Sequence, residues 1–396
     1  MNRRIKRESY PFKDSHGWGP LMLFIGTVQS VMEANQFRVC QCGEIEMKRS
    51  WLAQMQTRLM KLGRFGFVIG LILGGVTAAG AQEQIIKLRV GLGDVSLNKV
   101  PFVAAYEAGI YKKNGLDVEQ FITPSAAEVA RRSGVTVPKE YIHAGGRETP
   151  IVIGGGSPLI VRWTTDAQAD DRVIVACTDP VVRWRIIARP DIASIEQLKG
   201  KRLGYSGYGA VTHFVALTFS KIMGWNPEQD LSLMSGANTM DALKSGRVDA
   251  IIASELHETM ALSAGYKILV DLAKYNIPNA GSGVSVSRAW LKDNREATRR
   301  FVKSTVEMIA LVKRNKQAAF SAMAKWYSVT DPEKQAHFYR EVSNLPRKPY
   351  PSVDGIKKVM EIYNTHEMRR YKPEDFYNDS FVRELDKSGF IDGLYN

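Results

Sequence analysis

The chain has 396 residues, of which 44% are hydrophobic, 24% charged and 9% aromatic. This apolar content excludes a disordered or collagen-like chain, and the scarcity of long apolar runs excludes a protein with several membrane spans. The formal net charge is +13, but residues 1–81 hold 11 Lys and Arg against 5 Asp and Glu, so about half of the excess lies there. Because no basic patch with interleaved aromatic residues follows, the charge does not favour nucleic-acid binding.

The segment before residue 82 has the three-part layout of an export signal. Lys61 and Arg64 precede an apolar run, residues 65–76, that is interrupted only by glycine. Ala79-Gly80-Ala81 then provides small residues at the positions that a signal peptidase prefers. The run is shorter than the roughly 20 residues that a membrane span requires. We therefore predict a signal peptide over residues 47–81; the alternatives are an uncleaved anchor or a buried helix.

The residues that precede this signal are interpreted as an over-called upstream region, residues 1–46. Met47 and Met60 are both better starting points for an exported chain. No cysteine stands at the predicted cleavage point, so a lipid anchor is not expected. The expected product is soluble and periplasmic.

Cysteine usage is compatible with export. Cys40 and Cys42 lie in the part predicted to be removed, which leaves Cys177 at the end of the apolar stretch RVIVACTD. A single cysteine forms no internal disulfide, and a mature domain of this size does not need one. We interpret Cys177 as a core residue, since no nearby histidine argues for a nucleophile.

The exported part begins with a predicted strand, helix and strand. Residues 85–92 alternate apolar and polar side chains, residues 100–111 have a helical apolar face, and residues 116–122 form the next strand. This order predicts a parallel β-α-β unit. Further predicted strands are 151–161 (broken by a triple glycine), 172–177 and 181–188.

The second half alternates in the same way. The predicted elements are a linker with a short helix at 190–199, a strand at 202–205, a helix at 211–223, a short helix at 239–246, and strands at 248–253, 266–272 and 282–287. Asn294 begins a long amphipathic helix whose basic face, which includes Arg299, Arg300 and Lys303, is interpreted as solvated. Residues 331–396 are polar with scattered helical signals, typical of helices packed on a finished core.

Three stretches together resemble one family. They are AAYEAGIYKKNGLDVE at 104–119, SIEQLKGKRLGYSGYGAVTHF at 194–214 and DALKSGRVDAIIAS at 241–254. In order and spacing they resemble the solute-binding proteins of the nitrate, sulfonate and taurine type, a group that includes thiamine-pyrimidine synthase-like domains. The resemblance covers about residues 85–330. Residues 123–150 depart from it, and GGRETPIVIGGGSP replaces the family's second acidic element.

The resemblance implies an α/β protein with the two-lobed periplasmic-binding-protein type II fold. Its sheets are expected to be mixed, mostly parallel and flanked by helices, with a C-terminal helical extension. The implied parts are lobe one (82–185 plus 276–330), lobe two (186–275), chain crossings near 182–188 and 282–287, and C-terminal helices (331–396) packed on lobe one.

The function that the resemblance implies is solute capture for an ABC import system. A small anionic solute, similar to a sulfonate, carboxylate or nitrate, would be held between the lobes and delivered to an inner-membrane permease. We expect a monomer with no cofactor, no metal and no catalytic residue. The alternatives are a pyrimidine-forming enzyme or a ligand-sensing receptor domain on the same fold. The Cys-rich motif of that enzyme, metal-ligand spacings and a Gly-x-Ser-x-Gly elbow are all missing from the sequence.

Candidate ligand-binding residues follow from the rule that ligands of such sheets lie at the carboxyl ends of strands. The turn at 206–209 precedes a helix, and free N–H groups at a helix start favour an anion. The expected residues are Asp94, Ser96 and Leu97; Gly155, Gly156 and Ser157; Ser206, Gly207, Tyr208, Gly209, Thr212 and His213; and Ser254 and Glu255. The alternative is a purely structural role, in which these segments are ordinary turns and His213 is a packed histidine. Trp163 and Trp184 fit core packing and ligand stacking equally well.

Overall fold

The computed structural model describes residues 84–132, 134–144, 149–166 and 171–396. The predicted signal peptide (47–81), the upstream region (1–46), Cys40 and Cys42 lie outside the described residues. Within the described ranges, every helix is too short or too polar to cross a bilayer.

Strands and helices alternate along the described chain, with additional helices after the last strand. The strands are β1 (Ile86–Leu92), β2 (Leu116–Ile122), β3 (Ile151–Gly155), β4 (Arg172–Cys177), β5 (Arg185–Ala188), β6 (Arg202–Tyr205), β7 (Ser232–Ser235), β8 (Ala250–Ala253), β9 (Lys267–Asp271) and β10 (Ser282–Ser287). The helices are α1 (Val100–Glu107), α2 (Ile110–Lys113), α3 (Pro124–Arg132), α4 (Gly156–Thr165), α5 (Val211–Ile222), α6 (Met240–Lys244), α7 (Glu255–Ser263), α8 (Arg288–Asp293), α9 (Arg295–Arg314), α10 (Lys316–Tyr327), α11 (Pro332–Ser343), α12 (Val353–Tyr363), α13 (Ser380–Lys387) and α14 (Phe390–Gly393).

The described strands form two five-stranded mixed sheets, one in each lobe. Their orders are β2-β1-β3-β10-β4 and β7-β6-β8-β5-β9. In lobe one, β1 pairs in parallel with β2 and β3, whereas β10 runs antiparallel to β3 and β4. Lobe two repeats this arrangement, with β5 as the antiparallel strand between β8 and β9. The predicted two-lobed α/β architecture with mixed sheets is confirmed.

Several predicted element boundaries were wrong for local reasons. The predicted helix 100–111 is two helices, because Gly109 adopts a left-handed conformation (φ 69°) between α1 and α2. The predicted strand 151–161 ends at Gly155, and α4 begins at the next residue. Of the predicted strand 181–188, only β5 pairs in a sheet, and β7 was not predicted.

Two antiparallel segments, residues 178–184 and 276–281, connect the lobes. The Val182 N–H donates to the carbonyl of Ile277 at 2.9 Å, and the Asn279 N–H donates to the carbonyl of Pro180 at 2.8 Å. Both segments begin several residues before the predicted crossings. The sequence alone misplaces them because β5 and β10, which continue from them, have the stronger apolar pattern.

The C-terminal helices contact both lobes. Helices α11 and α13, which lie in the predicted C-terminal extension, pack on α9 in lobe one. Helix α12 instead lies against α4 and α5, where Ile356 and Val359 join a buried cluster with Ile160 and Phe214. A Cβ atom on Gly355 would lie 2.1 Å from the carbonyl carbon of Asn279, so α12 also packs closely on a connecting segment.

Candidate functional site

A cavity of about 570 Å³ lies between the lobes, at the carboxyl ends of β1, β3 and β6. Four predicted site residues line it: Asp94, Gly155 and Gly156 from lobe one, and Ser206 from lobe two. Its volume falls in the range of small-molecule sites. The structure therefore brings together residues from three separate predicted turns.

The turn at 206–209 joins the two lobes at the edge of this cavity. The Ser157 hydroxyl donates to the carbonyl of Gly209 at 3.0 Å, which links α4 to the turn. The Thr212 hydroxyl accepts a hydrogen bond from the Ser206 N–H at 2.9 Å and lies 2.6 Å from the Ser206 hydroxyl. Ser157 and Thr212 therefore hold the turn in place, although neither lines the cavity itself.

Gly209 has no room for a side chain. Its φ is 76°, and a Cβ atom would lie 2.9 Å from Cγ1 of Val161 in the other lobe. We expect Gly209→Ala to lower the free energy of unfolding by about 2 kcal/mol, because it combines left-handed strain with a steric clash. Gly207→Ala is the matched control, since a Cβ there meets no atom of the described residues within 4 Å. Urea unfolding of both variants tests this; equal stabilities would contradict it.

Two helices begin at the cavity, one from each lobe. Helix α4 follows Gly155 and α5 follows Ala210, and both of these residues line the cavity. Among the described residues, no side chain caps the N-terminus of either helix. In α4 the Gly156 N–H donates to the carbonyl of Gly281 at 2.8 Å and Pro158 has no N–H, so Ser157 supplies the remaining first-turn N–H there. The positive ends of the two helix dipoles and the remaining N–H groups favour a negatively charged group.

Charged side chains also line the cavity walls. Arg162 on α4 is exposed and makes no ion pair or side-chain hydrogen bond with any residue of the described ranges. The Arg172 guanidinium donates to the carbonyls of Pro150 (2.7 Å) and Ser285 (3.0 Å). Asp94 also lines the cavity, and its carboxylate forms an ion pair with the Lys99 ammonium at 2.9 Å. Because the charge of Asp94 is balanced by Lys99, the positive charge of the arginines makes the cavity wall favourable for an anion.

Other predicted residues lie apart from the cavity lining. Leu97 is buried in the lobe-one core, and the buried Ser96 donates its hydroxyl hydrogen to Asp94. Gly207 and Tyr208 are not among the lining residues, and Tyr208 is 65% exposed.

His213 packs within an aromatic group rather than on the cavity wall. Its ring stacks on Tyr205 at 4.7 Å between centroids, and its Nδ1 lies 3.1 Å from the Tyr363 hydroxyl. Burial lowers the pKa of His213, which favours the neutral imidazole. The structure thus places His213 as a link between α5 and α12.

Ser254 and Glu255 belong to a buried charged cluster beside the connecting segments. Glu255 is 4% exposed, and its Oε2 has no hydrogen-bond partner in the part of the chain that the structure describes. Burial, reinforced by the carboxylates of Asp179 and Glu341, raises the pKa of Glu255 to about 8. The Ser254 hydroxyl lies 3.0 Å from Nδ1 of His257, and burial lowers the pKa of His257 to about 4.

The same cluster continues into lobe one through Asp179. Burial raises the pKa of Asp179 to about 6, although Arg183 and Lys99 oppose the shift. Lys99 is fully buried and donates to Asp94, to Asn98 (2.9 Å) and to the Ser282 hydroxyl (2.6 Å). This buried charged cluster therefore contains groups from both lobes and from the segment that connects them.

Sequence reasoning missed Arg162, Lys99 and Asp179. The signal for Arg162 was present, because Gly156-Ser157-Pro158 before an apolar run is a helix start. No comparable local signal marks Lys99 or Asp179, whose burial depends on distant segments.

Two further observations concern the chemistry of the described side chains. Burial raises the pKa of the Cys177 thiol to about 12, so this cysteine is a core residue that is not poised as a nucleophile. In the described ranges, no group of three or more His, Cys, Asp or Glu side chains is placed to hold a metal ion.

Comparison with known families bears on the central region. Residues 172–319 match the family model described as "NMT1/THI5 like". This part of the chain is similar to NMT1/THI5-like proteins. The match confirms the predicted family resemblance for the region that includes lobe two and its connections.

A curated relative, the nitrate import ATP-binding protein NrtC of Synechococcus elongatus, is 24% identical over 230 residues, which are 55% of this chain and 34% of NrtC. The chain thus spans about a third of the length of that relative.

Solved structures with the same fold extend the similarity beyond the NMT1/THI5-like region. The periplasmic nitrate-binding protein NrtA of Synechocystis PCC 6803 is 14% identical, with a TM-score of 0.61 over 77% of this chain and 89% of NrtA. The periplasmic aliphatic sulphonate-binding protein SsuA of Escherichia coli is 17% identical, with a TM-score of 0.55 over 77% of this chain and 99% of SsuA. The desulfurization enzyme DSZB is 14% identical, with a TM-score of 0.51 over 76% and 99%. The chain has the two-lobed periplasmic-binding-protein fold, which binding proteins and an enzyme share.

Proposed function

We propose that the protein is the solute-binding component of an ABC import system. It captures a small organic anion between its lobes and delivers it to an inner-membrane permease from the periplasm. The observation that carries this proposal is the cavity at which two helix starts without side-chain caps among the described residues, those of α4 and α5, meet from opposite lobes. The nitrate- and sulphonate-binding names of NrtA and SsuA, and the import ATPase name of NrtC, support it.

The mechanism is closure of the lobes on the solute. An anion held at both helix starts stabilises the closed arrangement over an open one, because only the closed arrangement brings the positive ends of the two helices together. The connecting segments, residues 178–184 and 276–281, are the places where the chain can bend between lobes. Asp94, Gly155, Gly156 and Ser206 contact the solute, and Ser157, Gly209 and Thr212 hold the contact between lobes.

A thermal-shift panel tests the proposed function. Sulfonates, carboxylates, nitrate and pyrimidines are added at equal concentrations to the purified chain. At about one hundred times its dissociation constant, a ligand is expected to raise the melting temperature by about 5 °C or more. The compound is expected to be recovered unchanged, whereas its conversion would support the enzyme alternative. No stabilising compound in any class would contradict solute capture.

A further inference from the structure

The walls of the interlobe cavity indicate which organic anions it accepts. Its volume of about 570 Å³ is far larger than a nitrate or a methanesulfonate requires. Much of the wall is apolar, with Leu159 and Val211 from the two helix starts and Ile174 from β4. Since apolar walls are stabilised by apolar ligand surface, the cavity suits a ligand with a substantial hydrocarbon part.

One tryptophan on this wall packs against buried hydrophobic residues but has no aromatic or cationic partner among the described residues. Trp184 lies in a connecting segment, is half-buried and lines the cavity. Trp163 also lines it, but Trp163 contacts Tyr371 and Phe376 at centroid distances of 5.2 and 4.9 Å and has Arg288 over its ring at 5.1 Å. Within the described ranges, no ring or cation has such a contact with Trp184. A half-buried indole without such a partner provides a surface on which a planar ring can stack.

We propose, on the basis of the proposed function, that the ligand is an aromatic carboxylate or sulfonate. Its ring stacks on Trp184, and its acid group lies at the starts of α4 and α5 near Arg162. Arg162 supplies a cation with no counterion of its own among the described residues, while Asp94 is already paired with Lys99. The ring therefore selects for planarity and the helix starts select for negative charge.

Titration calorimetry on the full chain separates these two requirements. The probes are benzoate, benzenesulfonate, cyclohexanecarboxylate, methanesulfonate, nitrate and the neutral benzamide. We expect an aromatic anion to bind about 5- to 10-fold more tightly than the saturated ring, and benzamide to bind at least about 10-fold more weakly than benzoate. Nitrate or methanesulfonate binding as tightly as benzenesulfonate would overturn the aromatic assignment while leaving solute capture intact. No binding by any probe would instead count against the proposed function.

Variants locate the stacking surface. Trp184→Leu is expected to weaken the binding of aromatic anions about 5- to 10-fold and to leave the binding of methanesulfonate unchanged. Trp184→Phe is expected to retain most of the affinity for aromatic anions. Trp290→Leu is the control, because Trp290 lies on α8 and is not among the lining residues. Arg162→Gln is expected to weaken the binding of every anion in the panel about 10-fold. Equal loss of aromatic and aliphatic anions in Trp184→Leu would overturn the stacking role.

Discussion

Lys99→Met is expected to lower the free energy of unfolding by about 3 to 5 kcal/mol at pH 7. Lys99 is fully buried, and its ammonium group donates to Asp94, Asn98 and the Ser282 hydroxyl. Methionine fills a similar volume but removes the cation, so Asp179 loses a charge that favours its ionised form. The change is costly because the Asp179 carboxylate stays buried with less compensation, whereas the Asp94 side chain is 49% exposed and can be hydrated. Urea unfolding measures the difference.

Lys221→Met is the matched control for this change. Lys221 pairs with Glu361 at 2.5 Å, but the two side chains are 60% and 46% exposed, so the expected loss is below about 1 kcal/mol. If the two variants lose the same stability, the buried charged cluster does not stabilise the protein as described.

Glu255→Gln is expected to change how stability depends on pH. Burial raises the pKa of Glu255 from 4.5 to about 8. The folded protein therefore keeps a proton that the unfolded chain releases, and the free energy of unfolding falls as pH rises from about 4.5 to about 8. Glutamine carries no charge at any pH, so the variant avoids this loss. We expect it to match the wild type near pH 4.5 and to be more stable by about 3 to 5 kcal/mol above pH 8.

Urea unfolding of Glu255→Gln and of the wild type, measured from pH 4.5 to pH 9, checks whether their free energies of unfolding diverge as expected. The groups that act electrostatically on Glu255 are Asp179 in the connecting segment, Glu341 on α11 and Arg185 on β5. Glu384→Gln, at an exposed position on α13, serves as the control and is expected to follow the wild-type curve. Parallel curves for Glu255→Gln and the wild type would show that the Glu255 carboxyl is hydrated and ionised in the folded protein.

The elements that were predictable are those with local signals. The turn at 206–209 was identifiable because glycine and serine separate a short apolar strand from an apolar helix. The same logic placed Asp94 after β1 and Gly155 at the end of β3. Since the carboxyl ends of parallel strands meet at one edge of a sheet, these residues were expected to converge, and they line one cavity.

The features that were not predictable depend on tertiary contacts. Lys99 and Asp179 look like ordinary surface charges in the sequence, and only the approach of distant segments buries them. Glu255 was expected to face a ligand or water, but α7 begins inside the buried charged cluster. Helix α12 was expected on lobe one alone, and its second contact, with α5, depends on how the lobes close.

Backbone hydrogen exchange with and without bound ligand tests the central claim most directly. The claim is that one solute contacts helix starts in both lobes and holds the lobes together. With the tightest-binding compound of the panel, we predict slower exchange at residues 156–161 of α4 and also at residues 206–214 around the start of α5. Slower exchange in only one of these two segments, or only at a surface remote from both, would contradict the account.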